Sequence, residues 1–158
     1  MINRNFLYVL VTLGLFLVTS SCSSSDDATI IDNSVRINEI KSAILSGTWR
    51  ITSFIDSGNN ETSDFTGYNF TFNENGTLTA SNGTDTIDGT WSVIEDDDSN
   101  DDSNYDDDID FNISFLAPPS FTDLTDDWDV TSSSTTKIEL IDISGGNGGT
   151  DTLTFERN

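Results

Sequence analysis

The chain has no histidine, one cysteine and six cations, set against twenty-eight acids. Without histidine it lacks the commonest general base and the commonest metal ligand. One cysteine, Cys22, cannot build a thiolate zinc site. A formal charge of −22 repels phosphate backbones, so no nucleic-acid partner is expected. Alanine, leucine and lysine are sparse, while Thr, Ser, Asn, Asp and Gly abound, a balance that favours strands and turns over helices. The one long apolar run, Phe6 to Val18, is too short to span a bilayer comfortably.

What is present begins with that run. Arg4 precedes it, and the small residues Thr19, Ser20 and Ser21 follow, so residues 1–21 read as a cleaved secretory signal peptide. Cys22 would then become the first residue. A lone cysteine in that place resembles a bacterial lipoprotein attachment site, although Thr19-Ser20-Ser21 depart from the usual residues before it. The resemblance implies acyl chains on Cys22 and a membrane partner; each buried methylene contributes about 0.8 kcal/mol, so two or three chains hold far better than one. The alternative is a secreted protein with a free thiol, which oxidising compartments disfavour. Ser23 to Asp27 resembles the acidic tag of surface-exposed lipoproteins of the Bacteroidota, and residues 22–33 form a Ser/Asp-rich tether in either case. The expected location is the outer membrane, facing the cell surface; a periplasm-facing anchor is the alternative.

Residues 34–158 make one domain's worth of chain. Asn33 or Ser34 can cap a short helix with Ile37, Ile40, Lys41, Ile44 and Leu45 at helical spacing, stopped by Gly47. The apolar period then becomes two. Trp49, Ile51, Ser53 and Ile55 alternate with Arg50, Thr52, Phe54 and Asp56. Tyr68, Phe70 and Phe72 lead to the hairpin signal Asn75-Gly76, Leu78 and Ala80 return to Asn82-Gly83, and Ile87, Gly89, Trp91 and Val93 follow. Beyond an acidic stretch come Ile109, Phe111, Ile113 and Phe115, then a Pro118-Pro119 break and a packed turn holding Phe121 and Leu124. Trp128 and Val130, then Ile138 and Leu140, then Leu153 and Phe155 complete the set, with Ile141 and Ile143 suggesting a bulge. About eight hairpin-linked strands with one greasy face cannot be covered by one helix. The sheet must close into an up-and-down antiparallel barrel or fold into a β-sandwich, and only the barrel requires the first and last strands to pair.

The stretch Leu45-Ser46-Gly47-Thr48-Trp49, the segment Tyr68 to Thr77 and a second Gly89-Thr90-Trp91 resemble, in that order, the lipocalin-like lipoproteins of the Bacteroidota. The likeness spans roughly residues 35–157 and implies an eight-stranded lipocalin-like barrel without catalytic residues. It also implies a late arginine against the first-strand tryptophan, a place that only Arg157 can fill over Trp49. The family's ligands occupy the barrel, which makes Trp49, Tyr68, Phe70, Trp91, Phe111 and Trp128 candidates to line a site for a small apolar ligand. The competing reading is a core that these rings, with Phe72, Phe115 and Phe155, fill themselves, and it carries more weight because eight strands leave so little room.

Two polar motifs remain. Asp96, Asp98, Asn100 and Asp107 match positions of a calcium loop, but Asp101 stands where the loop needs glycine. A weak Ca²⁺ site, with Kd on the order of 10⁻⁴–10⁻³ M, competes with a solvated, self-repelling loop. No other cofactor is expected. Asp85-Thr86-Ile87 and Asp151-Thr152-Leu153 match an O-glycosylation acceptor pattern of the same phylum, and equally read as plain strand starts. No expected inward position is ionisable, so no acid–base pair is proposed.

Overall fold

The computed structural model describes residues 33–95, 109–143 and 149–158. Cys22 and the calcium-loop candidates Asp96, Asp98, Asn100 and Asp107 lie outside the described residues.

Helix α1 (Asn33–Ile44) leads into strand β1 (Trp49–Asp56). A two-residue strand β2 (Asn59–Asn60) and a 3-10 turn (Thr62–Phe65) follow. Next come β3 (Asn69–Phe72), β4 (Thr77–Ser81), β5 (Thr86–Glu95) and β6 (Ile109–Phe115). A four-residue helix α2 (Pro119–Thr122) precedes β7 (Asp126–Ser133), β8 (Lys137–Ile143) and β9 (Thr150–Arg157). Every pairing is antiparallel; β2 is a spur on β1, and from β1 through β3 to β9 each strand pairs with the next. The ladder closes where β1 meets β9, from Trp49 opposite Arg157 to Ile55 opposite Thr152. This is the closed eight-stranded up-and-down barrel of the lipocalin-like type, and that closing ladder rules out the sandwich.

The period-two residues meet inside as expected. Phe111, Ile113 and Phe115 of β6, Leu78 and Ala80 of β4, and Leu153 and Phe155 of β9 are all buried. Gly89 sits opposite Phe115, and a Cβ there would come within 2.6 Å of that ring and 2.5 Å of the Ser114 carbonyl oxygen. Only glycine lets the Phe115 ring lie across β5 at this point.

Two strands depart from simple alternation. In β1 the register shifts between Ile51 and Ser53, so Thr52 is an extra residue and the phase reverses. Phe54, expected outside, is fully buried, while Ser53 and Ile55 are only partly covered. The expected bulge near Ile141 and Ile143 lies instead in the facing strand β7, where the register shifts between Val130 and Ser132. In both cases one residue inserted on one side of a ladder turns the following side chains over.

Candidate functional site

The barrel interior and its two ends are the chemistry-bearing part of the molecule. At one end, where β1 begins and β9 finishes, α1 lies across the opening. Its spacing puts Ile40 and Ile44 into the core, with Ile37 and Leu45 packed against it. The helix ends in carbonyls that need donors. Trp49 Nε1 donates to the Ile44 carbonyl at 2.9 Å, and Arg157 Nη2 donates to the Ala43 carbonyl at 3.1 Å. The Arg157 guanidinium carbon stands 5.4 Å from the centre of the Trp49 ring. The expected arginine–tryptophan contact is therefore present, and it joins the helix C-terminus to both closing strands. A cation at the negative end of the helix dipole is stabilised there.

At the opposite end, among the described residues, no long helix is available. The 3-10 turn and α2 each insert one ring, Phe65 and Phe121, which meet edge to face at 5.2 Å between centroids. Phe65 also touches Phe54, and Phe121 touches Tyr68, Phe70 and Phe115. Each turn also supplies one threonine that mimics a neighbouring strand. Thr62 Oγ1 accepts from the Phe54 amide at 2.8 Å and donates to the Phe54 carbonyl. Thr125 Oγ1 accepts from the Phe115 amide at 2.9 Å and donates to the Phe115 carbonyl at 3.1 Å. The gaps in the ladders explain the need. Beside β3, β1 has one bridge, Trp49 to Phe70, and β7 pairs with β6 only as far as Ile113 opposite Asp126.

Between the ends the rings fill the tube. Phe72 packs edge-on against Trp91, Phe111 and Phe155, at 5.4, 5.8 and 5.6 Å. Trp91 stacks on Phe111, and Trp128 meets Phe54. Of the six ligand-lining candidates, Trp49, Phe70, Trp91, Phe111 and Trp128 are buried within this cluster, while Tyr68 is half-buried just before β3 and leans on Phe121. The indole nitrogens are occupied by backbone: Trp91 Nε1 donates to Asn73 O and Trp128 Nε1 to Leu124 O. Among the described residues no polar or charged side chain is buried as a whole.

Carboxylates gather on the rim around the two turns. Glu61, next to Thr62, has its proton affinity raised by partial burial and by Asp56, Asp123 and Asp64. Asp126, next to Thr125, is pushed up to about 6 by burial, by its hydrogen bond with Asp127 and by the charge of Asp142. Nothing in the sequence marks the half-buried Asp126, since the apolar alternation starts only at Trp128 while β7 begins two residues earlier. Two concavities among the described residues lie on the surface. A groove of 760 Å³ runs between α1 and the β7–β8 turn, with Val35, Ser42, Thr135 and Arg157 on its walls. A cleft of 320 Å³ on the outer wall includes Ser92, Asn112, Asp126 and Asp127. Among the described residues no three Asp, Glu or Cys side chains are placed to hold a metal ion.

No family model and no curated protein matches this chain. A solved structure that is similar to it is the crystal structure of a DUF4847 family protein from Bacteroides vulgatus ATCC 8482. The likeness has a TM-score of 0.46 and 20% identity, over 75% of this chain and 97% of that one. The architecture given above follows from this chain's own strand pairing and owes nothing to that likeness.

Proposed function

We propose that this protein is a lipoprotein of the outer membrane, held by acyl chains on Cys22 and displayed on the cell surface, whose barrel is a solid, non-catalytic interaction module. The observation that carries the solid-barrel reading is the ring packing. Phe65 and Phe121 occupy one mouth, α1 covers the other, and Phe72 touches three rings between them. A barrel of eight strands has room for side chains or for one small ligand, and here the side chains take that room. With the interior committed to packing, function falls to the outer surface and loops, which carry the charge.

Native mass spectrometry of the protein purified from its own host tests the reading. The expected mass is the chain from Cys22 plus acyl groups and nothing more. A retained apolar molecule would favour the ligand-binding alternative, with Phe65 and Phe121 as its displaced cover. A Cys22→Ser variant is expected to leave the membrane fraction. Protease added to intact cells should remove the wild-type domain if it faces outward and spare it if it faces the periplasm.

A further inference from the structure

We infer that the outer wall formed by β8, β9 and β1 is where a second copy of this chain docks. The inference deepens the interaction-module reading above by naming the partner, and it does not depend on acylation of Cys22.

The register identifies the face. Phe54, Leu140 and Leu153 are buried, so their chain neighbours Ile55, Ile141 and Thr152 point outward. Thr152 pairs with Ile55 on one side and with Ile141 on the other. Ile143 continues the outer row of β8 and is 47% exposed. Three isoleucines and a threonine methyl therefore form one apolar patch across three strands. On β3 to β7 the outward positions are Thr, Ser, Asn and Asp, with Ile94, opposite Asp110, as the apolar exception. A single exposed apolar side chain is ordinary, whereas a contiguous set on an otherwise polar barrel marks a contact surface.

Charge selects the occupant. The outward ionic groups of this wall are Arg50, Glu156, Lys137 and Glu139, joined as the ion pairs Arg50–Glu156 and Lys137–Glu139. They sum to zero. The opposite wall presents Asp88, Asp110, Asp127 and Asp129 and, among the described residues, no outward cation. A cationic partner is drawn to that acidic wall, and a polyanion is repelled by the molecule as a whole. Copies that each carry −22 repel one another too, and least where the facing walls are neutral. An apolar, charge-balanced patch is self-complementary. A two-fold axis along β9 lays Ile55 of each copy against Ile141 of the other, since β9 runs between β1 and β8. It also leaves α1 at the same end in both copies, as anchoring to one membrane requires. Three strands about 4.8 Å apart, with residues about 3.3 Å apart along them, give the face on the order of 300 Å² per copy. A standard stable interface takes roughly 800 Å² per partner, so this contact is weak and reversible in solution.

Sedimentation of the chain from Cys22, with its thiol kept reduced, tests the dimer at millimolar protein; that chain contains the compact unit Ile31–Asn158 whole. Raising NaCl from about 0.05 to about 0.5 M shortens the screening length from about 14 to about 4 Å, and self-association should strengthen at least about threefold. Ile141→Glu puts a charge in the middle of the patch and should weaken the dimer about tenfold or more. Ile143→Asp, at the exposed end of β8, should weaken it in the same direction, and Ile94→Glu on the opposite wall should leave it unchanged. Amide shifts on dilution should map to Ile55, Ile141, Ile143 and Thr152. The dimer is refuted by a monomer at millimolar concentration in high salt, by association that weakens with salt, or by shifts that map elsewhere. It is equally refuted if Ile94→Glu acts as strongly as Ile141→Glu. Binding of this wall to vesicles of phosphatidylethanolamine and phosphatidylglycerol by a protein that stays monomeric would assign the face to lipid and overturn it as well. A monomer leaves the solid, non-catalytic barrel standing, because the retained-ligand measurement tests that separately. Should Ile141→Glu fail to fold, Ile143→Asp decides.

Discussion

The two ends of the barrel solve one problem in different ways. Each must cover a greasy tube and satisfy backbone groups where ladders run out. The helix end uses twelve residues in one regular element, with Ile40 and Ile44 buried and two side chains from the closing strands bonded to its last carbonyls. The plugged end uses two turns of four residues, each lending one ring and followed or opened by one threonine. The first arrangement is periodic and cooperative. The second is assembled from single contacts, and it carries the rim's repelling carboxylates. Rigidity should therefore concentrate at the helix end and responsiveness at the plug.

The largest expected effect comes from cutting the helix end loose. Trp49→Ala removes a fully buried ring, its bond to Ile44 and the seat of Arg157, and should cost about 3–5 kcal/mol in urea unfolding. Phe121→Ala should cost about 3 kcal/mol, because four rings lose a partner. It should also admit an apolar fluorescent dye that the wild type excludes. A Phe121 loss exceeding that of Trp49 would reverse the ranking of the two ends.

Smaller changes sharpen the contrast. Thr125→Val leaves the Phe115 amide and carbonyl without the threonine's bonds, and Thr62→Val leaves the Phe54 amide without its partner while the Phe54 carbonyl keeps the Glu61 amide, each at about 1–3 kcal/mol in the same measurement. The serine variants, which keep the hydroxyl, should recover most of that loss. Smallest is Arg157→Lys, at about 0.5–1 kcal/mol, since an ammonium keeps the charge over Trp49 but loses the planar fork. If Arg157→Lys were as damaging as Trp49→Ala, the arginine would be the true centre of the helix end.

The two ends also differ in how much of each the sequence carries. The helix end is plain in the sequence: Ile37, Ile40 and Ile44 recur at helical spacing before Gly47, and Arg157 is the one late arginine for Trp49. The plug was mostly invisible. Phe65 stands in an aperiodic stretch between hydrophilic residues, and nothing near Thr62 or Thr125 marks a strand substitute. Phe121 reads as part of a packed turn, with nothing local that places it in the mouth. Asn59-Asn60 has no strand-forming residue at all and pairs only because Ile55 and Asp56 have a free edge there.

Local periodicity was enough for the strand count, the hairpins, the buried face of most strands and the helix, because each is a property of neighbours in the chain. Eight one-sided strands with a single short helix also required the sheet to cover itself, as a barrel or as a sandwich, and the β1–β9 ladder decided for the barrel. The bulges at Thr52 and Thr131, the burial of Phe54 and the proton affinity of Asp126 came only with the folded barrel. A bulge is defined by the strand opposite, and a carboxylate's affinity by the charges brought beside it. Both depend on residues far away in sequence, so no reading of the local chain contains them.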